Sequence, residues 1–141
     1  MRSLISAVIS ILLLCPQLLA SEYPTATLDG DWEFDADATE RHVLSLRHWA
    51  PDVARHVMSA YKPHSYSIFK GRYTLTIDGK ERVGSITVTA IRGETIRVLF
   101  TCPEQEEDEV GEMDLTEDGL IYRPDSPMFD KEALFYKRKR G

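Results

Sequence analysis

The sequence predicts a mainly β fold: an antiparallel up-and-down barrel of seven or eight strands, with a helical insertion between strands one and two. Three observations carry this reading. From residue 65 onward apolar and polar residues alternate with period two, the mark of strands that bury one face. Turn pairs separate the alternating runs, Asp78-Gly79, Arg92-Gly93 and Asp118-Gly119 among them. The period switches only once, to a helical step, over residues 38–61.

The elements follow in order. Asp29-Gly30 turns into a first strand over 31–35, where Trp32 and Phe34 alternate with Asp31, Glu33 and Asp35. Val43, Leu46, Ala50, Val53, Val57 and Ala60 then step by three and four, so Val43, Leu46, Val53 and Val57 are expected to face the core. Asp37 with Glu40 has the form of a capping box. Pro51 suits a first helical turn and disrupts an interior, which predicts helices at 38–49 and 51–61, or one kinked helix, ended by Pro63. Residues 65–69 read either as a separate strand turning at Lys70-Gly71 or as the first half of one bent strand. Inward faces follow at Tyr73, Leu75 and Ile77, at Ile86, Val88 and Ala90, and at Ile96, Val98 and Phe100. After an acidic loop at 104–109 come Met113 and Leu115, a strand at 120–123 that includes Tyr122, a loop at 124–127 and a last strand at 133–139. Such a meander closes most easily by pairing the first strand with the last, because closure removes exposed edges.

The N-terminus places this domain outside the cytoplasm. Residues 1–20 read as a cleavable signal peptide: Arg2, an apolar run over 4–14, the break Cys15-Pro16-Gln17, and Ala20 before polar Ser21. The run falls short of the roughly 20 residues a membrane span needs, so no stable membrane insertion is expected after cleavage. Lipidation at Cys15 is disfavoured because Leu14 stands where a small residue is required. Residues 21–141 then form one extracytoplasmic domain, periplasmic or secreted. The whole chain carries 23 acidic against 17 basic residues, a net charge of −6, and nucleic acid is excluded as a partner because phosphate binding needs a basic face. The basic run at 137–140 reads as solvated. With Cys15 removed, Cys102 stands alone, no internal disulfide forms, and the thiol is expected to be a small buried apolar group. The chain contains no asparagine and therefore no N-glycosylation site.

Gly30-Asp31-Trp32 in the first strand matches the G-x-W of lipocalin-like barrels. An Asp-rich start to a helical segment, the meander, and the basic end Tyr136-Lys137-Arg138 follow it. Over residues 28–138 the chain resembles the small secreted lipocalin-like proteins of bacteria. It departs from them by lacking a T-D-Y between middle strands and by carrying its helical segment after the first strand instead of the last. The resemblance implies that Trp32 closes the narrow end of the barrel and that Arg138 packs across its ring, a guanidinium over an indole.

No catalytic motif stands out. The chain has no G-x-S-x-G, phosphate loop, dinucleotide fingerprint or H-E-x-x-H, so a non-enzymatic protein without cofactor is expected. His42, His48 and His56 are spaced six and eight apart and each follows an arginine, which argues against a metal site. His64, alone after Pro63, carries no signal. The 104–109 run lacks calcium-loop spacing and reads as a solvated acidic loop. Trp49, Met58 and Tyr61 read as core. Two functional readings stay open. In the preferred one, Phe34, Tyr73, Leu75, Ile86, Val88, Ile96, Val98, Met113, Tyr122 and Tyr136 line an interior that holds a small apolar or amphipathic ligand. In the other, the barrel core is packed and the chain is a protein-interaction or inhibitor module, its protein partner contacted through the helices or the 104–109 loop. Interior volume separates them, since a ligand site needs at least about 300 Å³.

Overall fold

A computed structural model describes residues 23–127, 129 and 131–139. The segment read as a signal peptide lies outside the described residues. A one-turn 3-10 helix, Ala26–Leu28, leads into β1 (Gly30–Phe34), followed by α1 (Ala36–Leu46) and α2 (Pro51–Ser59). The rest is strand: β2 (His64–Phe69), β3 (Arg72–Ile77), β4 (Lys80–Arg92), β5 (Thr95–Thr101), β6 (Glu109–Leu115), β7 (Gly119–Pro124) and β8 (Leu134–Arg138). The eight strands form a closed antiparallel barrel in sequence order, β1 pairing with both β2 and β8. Residues 64–69 are thus a separate strand, turned into β3 by Lys70 and Gly71, both with positive φ.

Period-two patterning places one face of each strand inside. The buried set includes Phe34, Ile68, Tyr73, Ile86, Val88, Ile96, Val98, Phe100, Met113, Leu120, Tyr122, Leu134 and Tyr136, one continuous core. One expected inward residue lies on the other face. A β-bulge falls between Val88 and Ala90, so Val88 pairs with Val98 but Ala90 pairs with Arg97. The extra residue reverses the pleat, and Ala90 moves to the outer side.

The end of the barrel where β1 begins is closed by Trp32, only 1% exposed. Its indole N–H donates to the Leu28 carbonyl at 2.9 Å, which ties the 3-10 turn beneath the barrel. Trp32 and Arg138 are direct partners across β1 and β8, and the Arg138 guanidinium lies over the indole, 4.4 Å from the ring centroid. Gly30 explains itself here. Its φ is +147°, and a Cβ would meet Arg138 Nη1 at 3.0 Å and the Trp32 ring at 3.7 Å. The glycine of G-x-W makes room for the arginine that covers the tryptophan.

The helical insertion leaves from the opposite end. The N-cap of α1 is Asp35, whose Oδ1 accepts from the Ala38 amide at 3.0 Å; the expected cap at Asp37 lies two residues too late, inside the first turn. Thr39, fully buried, donates to the Asp35 carbonyl at 2.8 Å and accepts from the Phe135 amide at 2.9 Å, which docks α1 on β8. Arg47 in the left-handed conformation ends α1, and Pro51 opens α2 at its first turn. This break resets the helical phase. Val43 is buried as expected, but α2 buries Ala54 and Met58, while Val53 is 50% exposed and Val57 half-buried. A stripe extrapolated across the break selects the wrong face of the second helix. The buried Glu132 carboxylate anchors the helix junction: it pairs with His48 Nδ1 and accepts from the Lys131 amide at 3.1 Å. His48 is therefore satisfied by an ion pair within the fold. Burial pulls the Glu132 carboxyl upward, but the His48 contact and the backbone amides of Glu132 and Lys131 together outweigh it and hold the pKa below the ordinary glutamate value.

Candidate functional site

The end of the barrel under the helical insertion is hollow. A cavity of about 420 Å³ opens there, bounded by Tyr61 and Lys62 after α2, by strand residues of β2, β3 and β6–β8, and by Ser126 and Phe129 in the β7–β8 connection. Its walls are aromatic. Tyr66, Tyr122 and Tyr136 come from β2, β7 and β8, Tyr61 and Phe129 sit at the mouth, and Leu75, Ile77 and Leu134 fill between them. The rings support one another: Tyr66 and Tyr136 centroids are 5.6 Å apart, Phe100 and Tyr122 5.6 Å, Tyr61 and Phe129 6.1 Å.

Two glycines seat these rings. Gly84 on β4 pairs with Tyr73, and a Cβ there would meet the Tyr73 ring at 2.6 Å and the Thr101 carbonyl at 2.5 Å. Gly111 on β6 gives way to the Tyr122 ring, and a Cβ would also meet the Arg123 carbonyl at 2.7 Å. Without a side chain at these positions, each tyrosine lies flat over the neighbouring backbone.

Four polar groups point into this apolar chamber. His64 Nδ1 lies 2.9 Å from the Lys62 carbonyl, and its Nε2 lies 2.7 Å from the Tyr136 hydroxyl. A carbonyl only accepts, so Nδ1 carries the proton and Nε2 accepts from the tyrosine. Burial lowers the His64 pKa, opposed by the Lys62 carbonyl, and this keeps the imidazole neutral at pH 7. The Tyr122 hydroxyl is buried and has no hydrogen-bond partner among the described residues. Glu109, the first residue of β6, stands beside it at the rim, near enough that its charge and a hydrogen-bonding contact raise the phenol, although the pair does not reach the geometry of a formed hydrogen bond. Glu109 is exposed as a residue, but the side chains crowding its carboxyl at the rim desolvate it enough to raise its pKa, opposed by the Tyr122 hydroxyl. Burial and, after it, the Glu109 charge push the phenols of Tyr61, Tyr66, Tyr122 and Tyr136 upward. Tyr73, deeper in the barrel, is lifted to about 12 by burial, with Cys102 and Glu109 adding to it.

The ten residues expected to line the interior divide into two groups. Leu75, Tyr122 and Tyr136 face the cavity. Tyr73, Ile86, Val88, Ile96, Val98 and Met113 are packed in the core beneath the cavity, and Phe34 is packed at its side, stacked on His64 at 4.6 Å and on Tyr61 at 5.9 Å. Trp32 and Arg138 close the far end. Tyr61 lines the mouth as well as packing against the core. The sequence candidates omit the wall residues Tyr66 and Phe129 and two polar site residues, His64 and Glu109. His64 was read as carrying no signal and Glu109 as part of a solvated loop. The signal for both was the pleat: His64, Tyr66 and Ile68 share a face of β2, and Glu109, Gly111 and Met113 share a face of β6. Extending the alternation by one step places each at the opening. Cys102 is buried at the end of β5, its Sγ 3.9 Å from the Val83 carbonyl. Among the described residues, no group of His, Cys, Asp and Glu side chains is arranged to share a metal ion, and no helix is long and apolar enough to cross a membrane.

Comparison with known proteins returns no match to a protein family, to a curated protein or to a solved structure.

Proposed function

We propose that this chain is an exported, non-enzymatic binding protein of lipocalin-like design that holds a small amphipathic ligand at the open end of its barrel. The observation that carries this is a cavity of about 420 Å³ walled by tyrosines, into which the unpartnered Tyr122 hydroxyl projects. Its size lies within the roughly 300–1,000 Å³ range of small-molecule sites. A buried hydroxyl without a partner costs about 1–3 kcal/mol, and a ligand that bonds to it recovers that energy on binding. The apolar walls suit a hydrocarbon or aromatic body, and the cluster of His64, Glu109 and the phenol tips at the rim suits a polar head. The packed lower barrel, closed by Trp32 and Arg138, limits how deep the guest reaches and argues for a short one. For the export reading the support is the 1–20 segment, with its apolar run and small residue before Ser21.

Native mass spectrometry of the protein recovered from its own cell envelope or medium, together with titration of an environment-sensitive apolar fluorophore, tests this reading. A bound small-molecule mass, and probe fluorescence that falls when Tyr122 is replaced by Trp to fill the cavity, are expected. Absence of both a bound mass and probe binding rejects it. The mass of the recovered chain should begin near Ser21; a chain retaining residues 1–20 rejects the export assignment.

A further inference from the structure

We infer that the cavity selects organic cations, an ammonium group carried on a short apolar body, in preference to fatty acids or neutral alcohols. The inference rests on the ligand-binding reading above and specifies its chemistry. Three observations of the cavity support it. The first is the charge balance of the lining. Glu109 is the one carboxylate among the lining residues, and no Lys, Arg or His forms an ion pair with it among the described residues. The one lining cation, Lys62, is already engaged: its Nζ lies 2.8 Å from Asp78 Oδ2. His64 does not supply a charge either, since both ring nitrogens are committed to Lys62 O and Tyr136 Oη in a neutral tautomer. An incoming carboxylate would meet a like charge and no free cation, whereas an incoming ammonium would meet an unpaired carboxylate.

The second observation is the wall. Tyr61, Tyr66, Tyr122, Tyr136 and Phe129 surround the space beside Glu109. The negative face of an aromatic ring attracts a cation within about 6 Å of its centroid, more so when both are shielded from water. An aromatic enclosure completed by one carboxylate gives alkylated ammonium groups what they need without asking them to donate many hydrogen bonds. The third observation is the Tyr122 hydroxyl, buried beside the Glu109 carboxylate and without a well-formed hydrogen bond among the described residues. Its dipole is free to turn its oxygen toward a cation seated between the two residues. The Glu109 charge also adds to burial in raising the phenols of Tyr61, Tyr66, Tyr122 and Tyr136, which places these four side chains within its electrostatic reach.

The test compares three probes of equal chain length, decyltrimethylammonium, decanoate and 1-decanol, kept below their micellar concentrations. Their binding to the mature protein and to Glu109→Gln is followed at pH 7.5 by calorimetry and by tyrosine ring shifts in NMR. Binding of the ammonium probe at least about tenfold tighter than either of the others is expected, with the preference reduced to near parity in Glu109→Gln. Far-ultraviolet circular dichroism and the thermal midpoint of Glu109→Gln, together with unchanged 1-decanol binding, establish that the variant is folded with its cavity intact. If that variant fails to fold, Glu109→Asp, which keeps the charge, replaces it, and should retain the cation preference. Equal or tighter binding of decanoate or 1-decanol to the native protein overturns the inference while leaving the ligand-binding reading in place. A preference for the ammonium that survives in Glu109→Gln overturns the role of Glu109. Failure of all three probes to bind overturns both readings together.

Discussion

Two tyrosines of the cavity carry the same chemistry in opposite circumstances, and removing their hydroxyls should move stability in opposite directions. Tyr136 Oη donates to His64 Nε2 at 2.7 Å in a half-buried setting, while Tyr122 Oη is shielded from solvent and has no partner. A net intramolecular hydrogen bond contributes about 0.5–1.5 kcal/mol, and a buried group left unsatisfied costs about 1–3 kcal/mol. Tyr136→Phe loses the bond and leaves the imidazole nitrogen without its donor, so a loss of about 1–2 kcal/mol is expected. Tyr122→Phe removes only an uncompensated hydroxyl and keeps the ring that Gly111 accommodates, so a gain of about 1 kcal/mol is expected. For a domain of this size each kcal/mol corresponds to roughly 3–5 °C in melting temperature, so the two variants should melt about 6–15 °C apart on either side of the parent. Urea denaturation at pH 7, monitored by circular dichroism, gives the free energies, and a common slope for all three proteins establishes that they unfold alike. The Tyr122→Phe gain should be accompanied by weaker binding of any ligand that uses the hydroxyl, a stability–function exchange at one atom. If Tyr122→Phe instead loses about 1.5–3 kcal/mol, Tyr122 makes a full charge-assisted hydrogen bond to Glu109, and the account of the site as incomplete without a ligand is refuted.

Further expectations follow from packing and charge. Gly111→Ala puts a methyl group against the Tyr122 ring and the Arg123 carbonyl, so overpacking should lower stability by about 1–3 kcal/mol in denaturant melts; a neutral result would mean that Tyr122 moves aside at no cost. Arg138→Ala removes the guanidinium from the Trp32 ring and should lose about 0.5–2 kcal/mol, with a change in tryptophan fluorescence. Glu132 has a folded pKa below its unfolded value despite the opposing burial, so its contribution is complete above the unfolded glutamate pKa and fades as pH falls through the folded one. Acid titration of the melting temperature should therefore be flatter for Glu132→Gln than for the parent below about pH 4.5, and identical slopes would remove Glu132 from the account of acid stability. His64 has a folded pKa lowered chiefly by burial, so its native state binds fewer protons than the unfolded chain and stability should decline as pH falls below about 6.5. NMR titration of the imidazole checks this, and an apparent pKa above 6.5 would contradict the buried, Tyr136-bonded tautomer.

The barrel was legible in the chain because its causes are local and repeat. Alternation at 73–77, 96–100 and 113–115 fixes which side chains enter the core, and the turns at Asp78-Gly79 and Asp118-Gly119 fix nearest-neighbour pairing. The switch to a helical period at 38–61 announced the insertion, and Pro51 announced a break in it, which the structure resolves as two helices and not one kinked helix. What propensity does not record is phase across an irregularity. One residue of bulge after Val88 turned Ala90 outward, and one left-handed residue at Arg47 rotated the second helix away from Val53. The interior tyrosines were visible as inward positions, but whether they filled the barrel or lined a space was not. That depended on Gly111 admitting the Tyr122 ring at the cavity wall and Gly84 admitting the Tyr73 ring in the core beneath it. The pairing of His64 with Tyr136 spans 72 positions in sequence, and no local pattern encodes that Glu109 has no ion-pair partner among the described residues. Period and turn chemistry determined the barrel strand by strand, because each is read within a few residues. Closure brought β1, β2, β6, β7 and β8 to one opening, and only that assembly decided which polar groups were satisfied and which were left facing an empty space.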